Sequence, residues 1–132
     1  MRENPMKTVV FSFVALLLLG VPPFNAAQAH GGTQPEHGGV VQLVGDMSFE
    51  LVARADGVEL YVEDDGDEIN SADMAAKLTV VDAGAKAQVT LTPAAGNKFE
   101  AKGVKIARGA KVAVLLTLKD KQSKIAANFT VK

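Results

Sequence analysis

Apolar and polar residues alternate with a period of two through most of the chain after residue 40, a pattern typical of half-buried β-strands. The segment MSFELVAR places Met47, Phe49 and Leu51 on one face and Ser48 and Glu50 on the other. The same alternation recurs in VELYVE, KLTVVDA, KAQVTLT, KFEAKGVKI, KVAVLLTL and SKIAANFTVK. Short turns separate these runs, and we see no long helical segment. The sequence therefore predicts an all-β fold, a single antiparallel immunoglobulin-like β-sandwich of about 7–8 strands occupying residues 40–132.

Two local signals refine this prediction. Ala55-Asp56-Gly57 lies between two alternating runs and predicts a hairpin, in which glycine would supply a positive φ. Only SADMAA, residues 71–76, could form a helical turn, with Ser71 as its cap. Strand alternation also predicts that Glu50, Glu59 and Glu63 lie on solvated faces.

The first 29 residues have the features of a cleavable signal peptide. Arg2 and Lys7 supply positive charge, Val9–Leu19 is an apolar run, and Ala27-Gln28-Ala29 has the small-x-small pattern of a cleavage site. The apolar run is shorter than the roughly 20 residues that a membrane-spanning helix needs. We therefore predict cleavage after Ala29, secretion to the periplasm and no membrane insertion after cleavage. We predict that the remaining chain consists of a flexible Gly/His arm, residues 30–39, followed by the sandwich.

The composition argues against several function classes. The chain has 14 basic and 15 acidic residues and a formal net charge of −1, which predicts no electrostatic attraction to nucleic acid or to an anionic membrane. The absence of cysteine rules out disulfides and thiolate metal sites. Both histidines, His30 and His37, lie close together in the arm, and no nucleophile has a base beside it in any suggestive pattern. We predict that the protein is not an enzyme.

The densest run of charge is EDDGDE, from Glu63 to Glu68. Oxygen-rich turns can bind calcium, which takes six to eight oxygen ligands. The spacing differs from that of an EF-hand loop, however, and Gly66 is suited to the tip of a hairpin. We therefore favour a hairpin over a calcium site here.

The segment AQAHGGTQPEHGGVV contains HGG twice. Cleavage after Ala29 would free the amine of His30, which could chelate a metal together with its ring Nδ1. His37 would supply another nitrogen and Glu36 an oxygen, and nitrogen donors of this kind suit copper well among divalent metals. The alternative is that the arm is a disordered tether without a metal site.

Two methionines bear on the same question, because thioethers are soft ligands for Cu(I). Met47 is a candidate ligand, since it follows the arm closely in sequence. It also shares its strand face with Phe49 and Leu51, which favours a role in the core. Met74 is open to either interpretation.

A cleaved signal, an N-terminal histidine and a cysteine-free sandwich resemble the CopC-like periplasmic copper carriers. That resemblance implies Cu(II) binding through the amine and ring of His30, but the chain lacks the second histidine that the family carries late in its sequence. The chain also resembles small exported proteobacterial "HGG" β-sandwich proteins through HGG…HGGVV, GVELYVEDDG, GAKVAVLLTL and NFTVK. The second resemblance implies a setting in heavy-metal efflux.

Two functions from different classes follow. The first is a periplasmic metal-binding protein, a carrier or buffer for copper or a related divalent metal in homeostasis or heavy-metal resistance. Its ligands would be His30, His37, Glu36 and Met47. The second is a structural or interaction module that docks on a heavy-metal efflux protein or another envelope protein through a strand edge. In that case the arm serves only as a tether.

Overall fold

The computed structural model describes residues 34–132, and these residues form an antiparallel all-β fold. The predicted signal peptide and His30 lie outside the described residues. The elements, in chain order, are β1 (Val40–Val44), β2 (Met47–Arg54), β3 (Gly57–Asp64), β4 (Asp67–Glu68), a 3₁₀ turn (Ser71–Asp73), β5 (Met74–Asp82), β6 (Ala85–Pro93), β7 (Lys98–Lys102), β8 (Lys111–Leu118) and β9 (Lys124–Thr130). Among residues 34–132, no helix is long and apolar enough to cross a membrane.

The strands follow the spatial order β1-β2-β3-β7-β6-β5-β8-β9, and the short β4 pairs with β3. One layer contains β1, β2, β3 and β7, and the other contains β5, β8, β9 and most of β6. The layers are joined where the end of β6, at Thr92 and Pro93, pairs with Glu100 and Phe99 of β7. At the far side β1 lies against β9, so the sheet is nearly closed into a sandwich-like barrel. The prediction of an all-β antiparallel fold is confirmed.

The inward faces of both layers form a single apolar core. Alternation places Phe49, Leu60 and Phe99 inward from one layer and Leu78 and Leu116 from the other, and each is completely buried. Burial of these side chains is the main source of stability available to a chain without disulfides.

The predicted helical turn is present but begins differently. Asn70 is the cap, and its side chain accepts a hydrogen bond from the amide of Ala72 at 3.1 Å. Ser71, the predicted cap, is buried, and its hydroxyl donates to the carbonyl of Ala94 at 2.8 Å. The acidic run is a hairpin, as predicted, because β3 turns into β4 through Asp65 and Gly66, with φ values of 53° and 85°.

Candidate functional site

The second HGG segment is held against the outer face of β2 by one carboxylate. Glu50 Oε1 accepts hydrogen bonds from the amides of His37, at 2.8 Å, and Gly39, at 3.0 Å. Its Oε2 accepts a third from the amide of Glu36, at 3.2 Å. Three convergent backbone N–H groups form a concave anion-binding turn, and Glu50 fills it from the same chain.

The two glycines of this segment have separate roles. Gly38 has a φ of 78°, a backbone conformation that residues with a Cβ rarely adopt. Gly39 lies so close to β2 that a Cβ would collide with the backbone oxygen of Leu51 and press on Val52. The pair therefore lets the chain turn sharply and approach β2 closely enough to reach Glu50.

The His37 ring is oriented by two neighbours. Its Nδ1 lies 2.8 Å from Glu50 Oε2, and its plane stacks on Tyr61 with a centroid separation of 3.5 Å and an interplanar angle of 5°. Tyr61 is itself held by its hydroxyl, which donates to Glu59 Oε2 at 2.7 Å. In the neutral form of the ring, ionised Glu50 favours the tautomer in which Nδ1 carries the proton and Nε2 carries the lone pair. The His37 side chain is 36% exposed, whereas the Glu50 side chain beneath it is 7% exposed.

Glu50 and Glu63 respond to this environment in opposite ways. Burial raises the pKa of Glu50, but the His37 ring and the amides of Gly39, His37 and Glu36 outweigh it and lower the pKa below the ordinary glutamate value. Burial raises the pKa of Glu63, and repulsion from Glu36, Glu68 and Glu50 raises it further. The negative potential around Glu63 would favour a bound cation.

A small cavity of about 20 Å³ lies between the arm and the sheet. Its polar lining includes Glu36, His37, Ser48, Glu50 and Glu63. The space suits one water molecule or one ion and is too small to enclose an organic ligand.

The structure brings some of the predicted ligands together and separates others. His37 and Glu36 both line the cavity, whereas Met47 is 5% exposed and packs in the core. Alternation along β2 turns Met47 to the face opposite Glu50. Met74 is also buried in the core. Within residues 34–132, no group of three or more His, Cys, Asp or Glu side chains is arranged to hold a metal ion.

The sequence prediction for Glu50 was wrong, because alternation identifies the outer face of a strand but not what covers that face. Glu50 is buried because the arm folds over it, while Glu59 and Glu63 are half-buried. The short Gly45–Asp46 connection could have predicted this burial, because it forms a tight hairpin between β1 and β2 that sets Val40 opposite Leu51. That register carries Gly39 and His37 toward Glu50.

The site thus consists of an ordered histidine, the carboxylate that orients it, and further carboxylates around a cavity of the size of an ion. The chain matches no family model, no curated protein and no solved structure.

Proposed function

We propose that this is a periplasmic metal-binding protein, a carrier or buffer for copper or a related divalent metal, with His37 Nε2 as one ligand. The observation that supports the proposal best is the 2.8 Å contact between His37 Nδ1 and Glu50. Histidines that bind metals commonly donate their other ring N–H to a carboxylate, which fixes the tautomer and makes the ligand nitrogen more basic. Nε2 has no hydrogen-bond partner among residues 34–132.

The remaining ligands must come from nearby residues whose donor atoms are not already engaged in hydrogen bonds, as those of Glu50 are. The amine and ring of His30, freed by cleavage after Ala29, would add two nitrogens, and Glu36 or Glu63 would add an oxygen. A site of nitrogen and oxygen donors suits Cu(II). Met47 packs on the opposite face of β2, and we therefore leave it out of the ligand set.

Titration with Cu(II) against a chelator of known affinity tests this function. The protein should begin at His30, and electron paramagnetic resonance should be recorded at each step. We expect one copper per chain with nitrogen coupling, and weaker binding after His37→Ala or after extension of the N-terminus. Glu36→Gln tests the oxygen ligand. Asp82→Asn, which removes the same charge from an exposed residue of β5, is its control.

Affinity equal to that of a free His-Gly-Gly peptide, and unchanged by His37→Ala, would contradict the proposal. The ordered turn would then serve to attach the arm to the sheet. In that event the interaction-module function, with an envelope or efflux protein as partner, becomes the one to test.

A further inference from the structure

The outer face of the layer formed by β6, β5, β8 and β9 is basic. It carries four exposed lysines, Lys77, Lys86, Lys111 and Lys124, which we call the lysine face. The register places them on one surface, because Val81 pairs with both Lys86 and Lys111, Lys77 pairs with Leu115, and Lys124 pairs with Thr117.

Among residues 34–132, no acidic residue occupies an outward position in the paired parts of β5, β6, β8 and β9. The other outward positions within the paired parts of these strands are occupied by Thr, Ala, Gln, Asn, Val or Leu. Asp82 adjoins Val81 in sequence, and alternation directs it to the other side of the sheet. None of the four lysines forms an ion pair with a residue that the structure describes. Their positive charges therefore have no acidic partner on the described part of this face.

Two exposed aliphatic side chains lie among the lysines. Val81, which is 39% exposed, sits between Lys86 and Lys111, and Leu115, which is 38% exposed, sits beside Lys77. The surface therefore combines spread positive charge with two small apolar side chains on a broad sheet.

We propose that the lysine face docks on the surface of an anionic lipid bilayer. Lysine is a point charge that suits a diffuse negative surface, whereas arginine provides the planar fork used for bidentate recognition. The outward positions of the four described strands include no arginine and no aromatic residue, the types enriched in protein hot spots and in single-stranded nucleic-acid sites. Val81 and Leu115 could enter the headgroup region without spanning the membrane.

Docking in this orientation would leave the His37 cavity facing solution. That cavity lies on the outer side of β2 and β3, in the opposite layer. The net charge of −1 does not reveal the lysine face, because its positive charges are offset in the total by carboxylates of the opposite layer, such as Glu59, Glu63 and Glu100. The inference does not depend on copper binding.

Cosedimentation with vesicles tests the inference. The protein should begin at His30, because that form contains the whole described fold and lacks the apolar segment Val9–Leu19, which would itself enter lipid. We expect binding to vesicles of phosphatidylglycerol and phosphatidylcholine at low salt, release at high salt, and no binding to phosphatidylcholine alone.

Two double variants that remove equal charge from different surfaces show which surface binds the vesicles. Each lysine near an anionic bilayer contributes a factor of about five to the partition coefficient, so Lys77→Gln with Lys111→Gln should reduce binding roughly 25-fold. Lys98→Gln with Lys102→Gln removes the same charge from β7 and should leave binding near that of the unmodified protein. Far-UV circular dichroism checks that both variants fold.

Two results would overturn the inference. Equal losses in the two double variants would mean that net charge, and not this face, controls binding. Binding to soluble polyglutamate that requires Lys77 and Lys111, without binding to the anionic vesicles, would assign the face to an acidic protein partner.

Discussion

Glu50 accepts four hydrogen bonds from the segment Glu36–Gly39, three from backbone amides and one from the His37 ring. A carboxylate is needed because an amide side chain offers a single acceptor oxygen and its NH₂ group would face donors. Glu50 therefore both closes the arm onto the sheet and decides which nitrogen of His37 remains available.

Replacing Glu50 by Gln should lower the free energy of unfolding by about 2 kcal/mol, because hydrogen bonds to a charged group are lost and amide donors are left unsatisfied. Urea denaturation measures the change, and hydrogen exchange at the amides of Glu36, His37 and Gly39 should accelerate. Glu100→Gln, at a side chain that is 42% exposed, is the matched control. A loss no greater than in that control would contradict the role assigned to Glu50.

The opposite pKa shifts of Glu50 and Glu63 give opposite pH dependences. The lowered pKa of Glu50 means that its contribution to stability is present above the ordinary glutamate pKa and is lost as the pH falls through the lowered value. The raised pKa of Glu63 means that ionised Glu63 destabilises the folded state. That penalty begins to decrease as the pH falls to the raised value, and it is gone below the ordinary glutamate pKa.

Glu63→Gln should therefore stabilise the protein at pH 7. The difference from the unmodified protein should shrink as the pH is lowered and vanish below about pH 4.3, where glutamate is protonated in the unfolded chain as well. Urea midpoints measured between pH 7 and pH 4 test this expectation. A difference that stays constant across the range would mean that packing, and not ionisation, separates the two proteins.

At the scale of elements, residues 36–39 of the arm cover part of the outer face of β2, and β1, which pairs beside β2 in the sheet, holds the arm in place. The cover depends on its close approach to the sheet, since Gly39 lies against the Leu51 backbone and the neighbouring amides reach Glu50 only at that distance. The arm between residues 36 and 39 is thus part of the folded domain.

Gly39→Ala should destabilise the protein by about 1–3 kcal/mol, because the added methyl group meets backbone that cannot move away easily. Gly38→Ala, at the adjacent residue, has open space but a positive φ and should cost about 1 kcal/mol. Amide exchange at His37 distinguishes the two, since only Gly39→Ala should separate the arm from β2. Equal rates of amide exchange at His37 in the two variants would contradict the role of Gly39 in the close approach of the arm to β2.

Local pattern predicted much of the strand content. MSFELVAR and KVAVLLTL coincide with β2 and β8, whereas the run KFEAKGVKI predicts a longer strand than the structure has, because β7 ends at Lys102. The hairpin at Gly57 is confirmed by the pairing of Arg54 with Gly57, but Gly57 does not have the expected positive φ. A Cβ there would collide with Ala101 of β7. The pairing of β3 with β7 joins distant parts of the chain, and no local signal could reveal it.

At the scale of the whole molecule, one core joins two layers that carry different surfaces. The side chains of Phe49 and Leu60 meet those of Leu78 and Leu116 inside, so neither layer has a core of its own. Outside, one layer carries the His37 cavity and the other the lysine face. The shared core fixes the two surfaces back to back.

Leu78→Ala should therefore reduce the stability of both layers together, by about 3 kcal/mol. Urea unfolding followed by circular dichroism gives the size of the change, and hydrogen exchange resolves the two layers. Leu115→Ala, at an exposed residue of the same layer, should have a much smaller effect. Loss of exchange protection confined to β5 and its neighbours would show that the layers unfold separately.

The parallel stacking of His37 on Tyr61 has an optical consequence. The chain contains one tyrosine and no tryptophan, so its tyrosine fluorescence arises entirely from the ring that lies against His37. Protonation of that histidine, its displacement, or a paramagnetic ion bound to it would each change the emission of this single fluorophore. The protein thus contains a label-free reporter whose centroid lies 3.5 Å from that of the imidazole ring it monitors.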